Sequence, residues 1–503
     1  MVSFPAGAQK NGRALCGWRD RNARLAKRNR ACSKAPMISP SLTIVRRALA
    51  RSAAARLSSH LRQHVLCVRF GRLLPLVGAA VGLSSAQAET VVVTADRMVD
   101  VATGRLVNRP VVVITDGRIA AVGSAGAQAP AVPAGARRID LPGQTLVPGL
   151  IDMHVHLDST PLMGGYRRLE VTDSFWSTIA VGNARAMLDA GFTTIRNLGA
   201  REYNDIALRQ GIERGFYQGP RIVAATYSFG PTGGHCDTNG FPPSVRFGPA
   251  ERGVNGADAV RTQIRQNRRY GADVIKICAT GGVFSRNTDP GAQQMTEAEM
   301  RTAVEEAHML GMRVAAHAHG TDGIKAAIRA GVDTVEHASF LDEEAMRMAR
   351  ERGTWLSMDI YNTDYTLAEG ARNGVLPENL EKERQVGQRQ RESFRRSVAM
   401  GVRHVFGTDA GVYPHGTGAR QFAVMMANGM TSLQALQAAT LNAAQALGRE
   451  RDVGAIAAGR YGDLVAVAGN PLDNVRLLEA PTVVIKGGDV VVDRLGTQPP
   501  RGG

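Results

Sequence analysis

Short apolar runs recur through the middle of this chain. Between them lie stretches whose apolar positions repeat every three to four residues. Eight runs can be read in order: Thr145–His156, Thr193–Leu198, Arg221–Ser228, Asp273–Thr280, Arg313–His319, Thr334–Ser339, Thr354–Ile360 and His404–Thr408. The intervening stretches read as helices. Thr296–Leu310 is an example, opening on a capping box of Thr296 with Glu299. Strand and helix in alternation predict βα units around a parallel sheet, an α/β fold. Eight units predict a (β/α)8 TIM barrel over residues 148–451, with a doubly wound open sheet as the runner-up.

The two ends follow a different pattern. Thr90-Val91-Val92-Val93-Thr94 and Pro110-Val111-Val112-Val113-Ile114 are short strands, punctuated by Asp116-Gly117 and Pro142-Gly143 turns. Asp463–Val467, Thr482–Ile485 and Asp489–Val492 repeat the pattern, with Lys486-Gly487-Gly488 as a hairpin turn. These ends predict one small β-sandwich assembled from residues 89–147 and 452–497.

Charge changes the picture only at the start of the chain. The formal net charge of +16 suggests a nucleic-acid binder, but residues 1–88 hold 16 Lys and Arg against one acid, Asp20. The remainder is nearly neutral and has no footprint for a phosphate backbone. Within the basic segment, Arg69 and Arg72 precede the apolar run Leu73–Leu83, and Ala86-Gln87-Ala88 follows. This is the order of a secretory signal and predicts a signal peptide over 68–88 and a secreted or periplasmic product. A short buried helix is the alternative. Residues 1–67 then read as a basic extension outside the true product, with translation starting near Val68, or else as a disordered arm. No later run is long and apolar enough for a permanent membrane anchor. Cys16, Cys32 and Cys67 lie in this leader. Cys236 and Cys278 remain, too few for a disulfide framework, although one bridge between them is open.

The chemistry gathers at the ends of the predicted strands. His154 and His156 are two apart near the end of the first, so both imidazoles face one side. That is the C-terminal mouth, where barrel active sites sit. His317 and His319 repeat the arrangement on the fifth strand, His337 ends the sixth and Asp409 follows the eighth. Lys276 lies inside the apolar strand Asp273–Cys278, where a lysine is costly unless neutralised or paired. Reaction of its neutral amine with CO2 would give a carbamate able to bridge two cations; a salt-bridged lysine is the plainer alternative. Imidazole and carboxylate donors suit zinc or a similar metal.

With these residues in view the chain resembles the amidohydrolase superfamily. The matching stretches are Gly149–His156, Val274–Gly282, Ala315–Gly320, Glu336-His337 and Gly407–Gly411. It is most similar to the prolidase-like and imidazolonepropionase-like branch, with Xaa-Arg dipeptidase-type and ochratoxin-hydrolysing enzymes. The resemblance implies two Zn2+ or similar divalent ions. His154, His156, carbamylated Lys276 and Asp409 would hold the more buried one; Lys276, His317 and His337 would hold the other. It implies a metal-bridging hydroxide that attacks an amide carbonyl. Asp409 would shuttle the proton. His319 would donate to the carbonyl oxygen or merely orient a neighbour. A tyrosine at the position of Tyr227 holds a substrate carboxylate in the family's peptidases. His235 and His415, in glycine-rich loops, would face the same pocket. His308 and His404 read as structural, and Asp289 as a partner for a cationic side chain.

The leading expectation is a dipeptidase or carboxypeptidase acting on Xaa-Xaa or N-acyl-amino acid substrates. Hydrolysis of cyclic or other non-peptide amides is the second reading, and a non-catalytic binding protein the third. The partner is a small molecule or dipeptide, not nucleic acid; a homo-oligomer is open.

Overall fold

The computed structural model describes residues 89–127, 129–245 and 253–495. The basic extension and the signal segment expected within residues 1–88 lie outside the described residues. Among the described residues, no helix is long and apolar enough to cross a membrane.

The two ends of the chain build one sheet. Five strands come from the N-terminal side (Thr90–Asp100, Arg105–Asn108, Pro110–Thr115, Arg118–Ser124 and Arg137–Pro148). Three come from the C-terminal side (Leu464–Ala468, Val483–Lys486 and Asp489–Asp493). The ends meet where Leu464–Ala468 runs antiparallel to Arg137–Pro148, with Leu464 opposite Pro148 and Ala468 opposite Gln144. Alternation splits the strands between two faces. Val91, Val93, Val112, Ile114, Leu464 and Ile485 pack together on one, and Val92, Val111 and Val113 on the other. The hydrogen bonding joins these strands in one continuous eight-stranded sheet.

The middle supplies eight parallel strands: β1 (Leu150–Val155), β2 (Phe192–Asn197), β3 (Arg221–Ala224), β4 (Val274–Cys278), β5 (Arg313–Ala318), β6 (Thr334–His337), β7 (Trp355–Ser357) and β8 (His404–Val405). β1 to β3 pair in chain order in one sheet, and β4 to β8 in another. Parallel bridges join the sheets at both seams: Phe229 with Ile277, and Val155 with Ala410. At the first seam the Phe229 amide donates to the Lys276 carbonyl (3.2 Å) and the Cys278 amide to the Phe229 carbonyl (2.9 Å). At the second, the His156 amide donates to the Ala410 carbonyl (2.8 Å). Helices separate the strands. The expected capping box is present: Thr296 accepts from the Glu299 amide, and Glu299 returns a bond to the Thr296 amide, opening the helix Glu297–Met309.

One boundary differs from the sequence reading. The first apolar run, 145–156, is two strands in two sheets. The chain passes from one to the other at Gly149, where an added Cβ would lie 2.1 Å from Thr193 Oγ1. Only glycine permits that approach. The later strands stop up to four residues sooner than their apolar runs. Buried loop residues such as Thr226, Tyr227 and Phe406 continue the apolar pattern after the ladder has ended.

Candidate active site and metal centre

The expected donor residues meet beyond the C-terminal ends of the parallel strands. They line a cavity of about 320 Å3 together with Asp158, Arg201, Tyr227 and Glu383. His154 is 1% exposed, and its Nε2 lies 3.3 Å from Lys276 Nζ and 3.4 Å from Asp409 Oδ1. His156 Nε2 lies 3.3 Å from the same carboxylate oxygen. Donor atoms of His154, His337 and Asp409 fall within 4.8 Å of one another, and so do those of His317, His319 and His337. Burying imidazoles and an amine this close together opposes folding unless a cation collects their lone pairs. The set is nitrogen and carboxylate oxygen, the chemistry that binds zinc-like ions.

Backbone geometry aims these groups. His337, the last residue of β6, and Asp409, beyond β8, both lie in the left-handed region, at φ 68° and 57°, as does Ala338 at 47°. A non-glycine residue there costs of order 1–3 kcal/mol and persists where surrounding contacts over-determine it. The Asp409 amide donates to the His154 carbonyl (2.7 Å), fixing the turn that brings the β8 carboxylate against the β1 histidines.

Buried partners stand beside three of the rings. His154 Nδ1 sits 3.1 Å from Glu336 Oε2, while Glu336 Oε1 accepts from Arg196 Nη2 at 2.7 Å. Arg196 also donates to the Met153 carbonyl and Thr334 Oγ1. His337 Nδ1 meets Asp359 Oδ1 at 2.9 Å, and Gln390 Nε2 donates to the same oxygen. His319 Nδ1 meets Ser339 Oγ at 2.8 Å. At His337 and His319 the contact engages Nδ1 and leaves Nε2 free for a ligand. Asp152 accepts from Thr408 Oγ1 at 2.6 Å and from the amides of His154 and Thr408, which ties β1 to the Asp409 turn.

The electrostatics follow from burial. Burial lowers Lys276 to about 8 against the raising charges of Glu336 and Asp409, so its amine is partly neutral near physiological pH. Burial, then the Lys276 charge, lowers His154 to about 4, and His317 and His319 are held well below the ordinary range for the same leading reason. Burial opposes ionisation of Asp409, but the His154 and His156 imidazoles beside it hold it below the usual carboxylate range. His337 moves up: burial works against it, and the Asp359 carboxylate more than offsets that.

The remaining expected residues divide. Tyr227 lines the cavity, but its hydroxyl accepts from the Glu202 amide (2.7 Å) and donates to Glu202 Oε1 (3.1 Å). His235 also lines it, stacked on His317 with ring centroids 3.9 Å apart and Nδ1 2.8 Å from Ser285 Oγ. His415 is not among the lining residues: it is buried behind them and donates from Nε2 to the His156 carbonyl at 3.1 Å. A histidine in a glycine-rich loop can turn either way, and sequence spacing does not show which. His308 pairs with Asp333, and His404 sits between Ser397 Oγ and the Val402 carbonyl, both away from the site. Asp289 closes its own turn by accepting from the Gly291 amide. Cys236 and Cys278 form a disulfide that fastens the loop carrying His235 to β4, two residues past Lys276.

An amidohydrolase family model matches residues 145–491. The chain belongs to the amidohydrolase family. Members of this family typically use a divalent metal, and the histidine–aspartate clusters of this amidohydrolase fit one. Among curated proteins it is 30% identical to ochratoxinase from Aspergillus niger over 374 residues, 68% of this chain and 75% of the relative. Among solved structures it resembles a Xaa-Pro dipeptidase with methionine bound in the active site, at 35% identity and a TM-score of 0.75. That match covers 80% of this chain and 100% of the other. The crystal structure of A. niger ochratoxinase aligns at 27% identity and a TM-score of 0.73, covering 83% and 97% of the two chains. The amidohydrolase is therefore a hydrolase acting on amide bonds, of the prolidase and ochratoxinase-like branch, and the non-catalytic reading is set aside.

Sequence reasoning gave no role to Arg196, Glu336, Asp359 or Glu383. The first two carried a usable signal. Each is a charged residue inside a strand with an apolar neighbour, Ile195 beside Arg196 and Val335 beside Glu336, a weaker form of the anomaly that singled out Lys276.

Proposed function

We propose that this chain is a binuclear zinc-dependent dipeptidase or carboxypeptidase, releasing a C-terminal residue from Xaa-Xaa or N-acyl-amino acid substrates. The eight parallel strands are read as a closed (β/α)8 barrel, in keeping with the pairing at both seams. The observation that carries the proposal is the convergence of His154, His156, Lys276, His317, His337 and Asp409 on one buried cavity. His154, His156, Asp409 and a carbamylated Lys276 would hold one ion, and Lys276, His317 and His337 the other. When bound, such ions acidify water and polarise an amide carbonyl.

The chain's own residues do the rest. Asp409, kept ionised by the neighbouring imidazoles, accepts a proton from the attacking water and returns it to the leaving nitrogen. His319, with Nδ1 engaged by Ser339, presents Nε2 to the carbonyl oxygen. Arg168 and Arg201 line the cavity beside Tyr227 and bring positive charge to it, which suits an anionic substrate group. An adjoining cavity of about 280 Å3 is walled by Trp176, Tyr166, Phe241 and Phe284, which suits a bulky apolar group. The signal-like segment and the Cys236–Cys278 bridge support a secreted or periplasmic location.

A panel of dipeptides and N-acyl-amino acids, offered with zinc and bicarbonate, tests the proposal. Release of free amino acid is the expected result. No release from any panel member while a cyclic amide is opened would overturn the dipeptidase reading.

A further inference from the structure

We infer that Glu383 is a specificity residue of the cavity, receiving a cationic group of the substrate; in a dipeptide this is the free α-ammonium. The inference rests on the dipeptidase reading above and narrows its substrate class.

Glu383 projects from the helix Pro377–Ala399 and is 3% exposed, yet it lines the same cavity as Asp409 and His337. Three glutamates are buried among the described residues. Glu336 is paired with Arg196 and Glu306 with Arg265. Among the described residues, no lysine or arginine forms a salt bridge with Glu383. Its Oε1 accepts from Thr363 Oγ1 at 2.5 Å, and that is its one hydrogen bond among the described residues. The adjacent Lys382 turns away and donates to the Ser285 carbonyl at 2.6 Å. Burial, with a smaller contribution from the Asp359 charge, pushes the Glu383 carboxyl up to about 7.

Folding gains little from this acid. A glutamine would satisfy Thr363, and Val386, one turn further along the helix, is an apolar wall residue of the same cavity. A buried carboxylate without a partner is costly, and the cost is recovered only when a cation arrives. Elsewhere in the cavity wall stand Arg168 and Arg201, each beside an aromatic ring. N-acylation removes the ammonium and leaves Glu383 unpaired, and this is where discrimination arises. A hydrogen bond to a charged group of this kind corresponds to about tenfold to hundredfold.

The test compares kcat/KM for dipeptides and their N-acetyl counterparts, using the zinc-loaded wild type and E383Q. The wild type is expected to prefer the free amine by about tenfold to hundredfold, and the ratio falls towards one in E383Q. An unchanged ratio overturns the inference, including the case where E383Q loses both activities equally, because that outcome assigns Glu383 a structural or general catalytic role. If neither substrate is cleaved, the dipeptidase reading fails by itself. Glu383 is then judged by calorimetry with a ketomethylene dipeptide isostere and its N-acetyl form. Equal wild-type affinities, or a preference that survives in E383Q, overturn the inference; a preference lost in E383Q supports it.

Discussion

Replacing Arg196 by methionine removes a guanidinium that is 1% exposed and leaves Glu336, itself 0% exposed, as a buried charge without its ion pair. The change also removes bonds to the Met153 carbonyl and Thr334 Oγ1. Breaking one side of a buried pair costs about 3–5 kcal/mol, most of it the stranded charge rather than the lost attraction. With an m-value of about 3 kcal/mol/M in urea, the unfolding midpoint should fall by about 1–1.7 M. Buried Trp176 and Trp355 report the transition by fluorescence. The double variant R196M/E336Q neutralises the stranded charge and should recover at least half of the loss. Both variants should lose activity, because Glu336 also meets His154 Nδ1 at 3.1 Å. A midpoint shift below about 0.3 M for R196M, or a double variant no more stable than the single one, would refute the reasoning.

Other outcomes follow from the same structure. Burial lowers His404 to about 4 from an ordinary 6.5, so the folded protein refuses a proton that the unfolded chain accepts. Its stabilising contribution is present above pH 6.5 and is lost as pH falls towards 4, amounting to about 3 kcal/mol; urea midpoints of H404Q should show a shallower fall over that window, and parallel curves would contradict this. The Cys236–Cys278 bridge closes a 42-residue separation, which the chain-entropy model converts to about 4 kcal/mol. Reductant should therefore lower the melting temperature of the wild type but not of C236S, and equal responses would exclude the bridge. Replacing Asp359 by alanine frees the His337 ring and should reduce metal affinity about tenfold to hundredfold, read by competition with a chromogenic chelator; unchanged affinity would remove His337 from the ligand set.

How far the sequence was legible differs between parts of the molecule. The donor residues were readable because a strand is short and straight: residues i and i+2 share a side, so His154 with His156, and His317 with His319, had to project together. Lys276 was readable because a charge inside an apolar strand needs an explanation. Arg196 and Glu336 stand in strands with several polar neighbours, so the same signal is weaker there, and their pairing beside His154 emerges only from the fold. Asp359 and Glu383 were not readable. Both act across elements, from beyond β7 and from a helix, and helix position 383 resembles any acid on a polar surface until the fold buries it. Strand limits were also beyond reach. The split at Gly149 depends on the approach of Thr193, a contact 44 residues away in sequence. The turn of His415 away from the cavity depends on the carbonyl of His156, set by a different strand.

Elemental analysis of the purified wild type beside K276A, with activity measured on the same samples, tests the metal centre most directly. Two divalent ions per wild-type chain, and loss of both metal and hydrolysis in K276A, is the predicted result. A wild type that hydrolyses amides with less than one ion per chain, or that keeps full activity through exhaustive chelation, would contradict it.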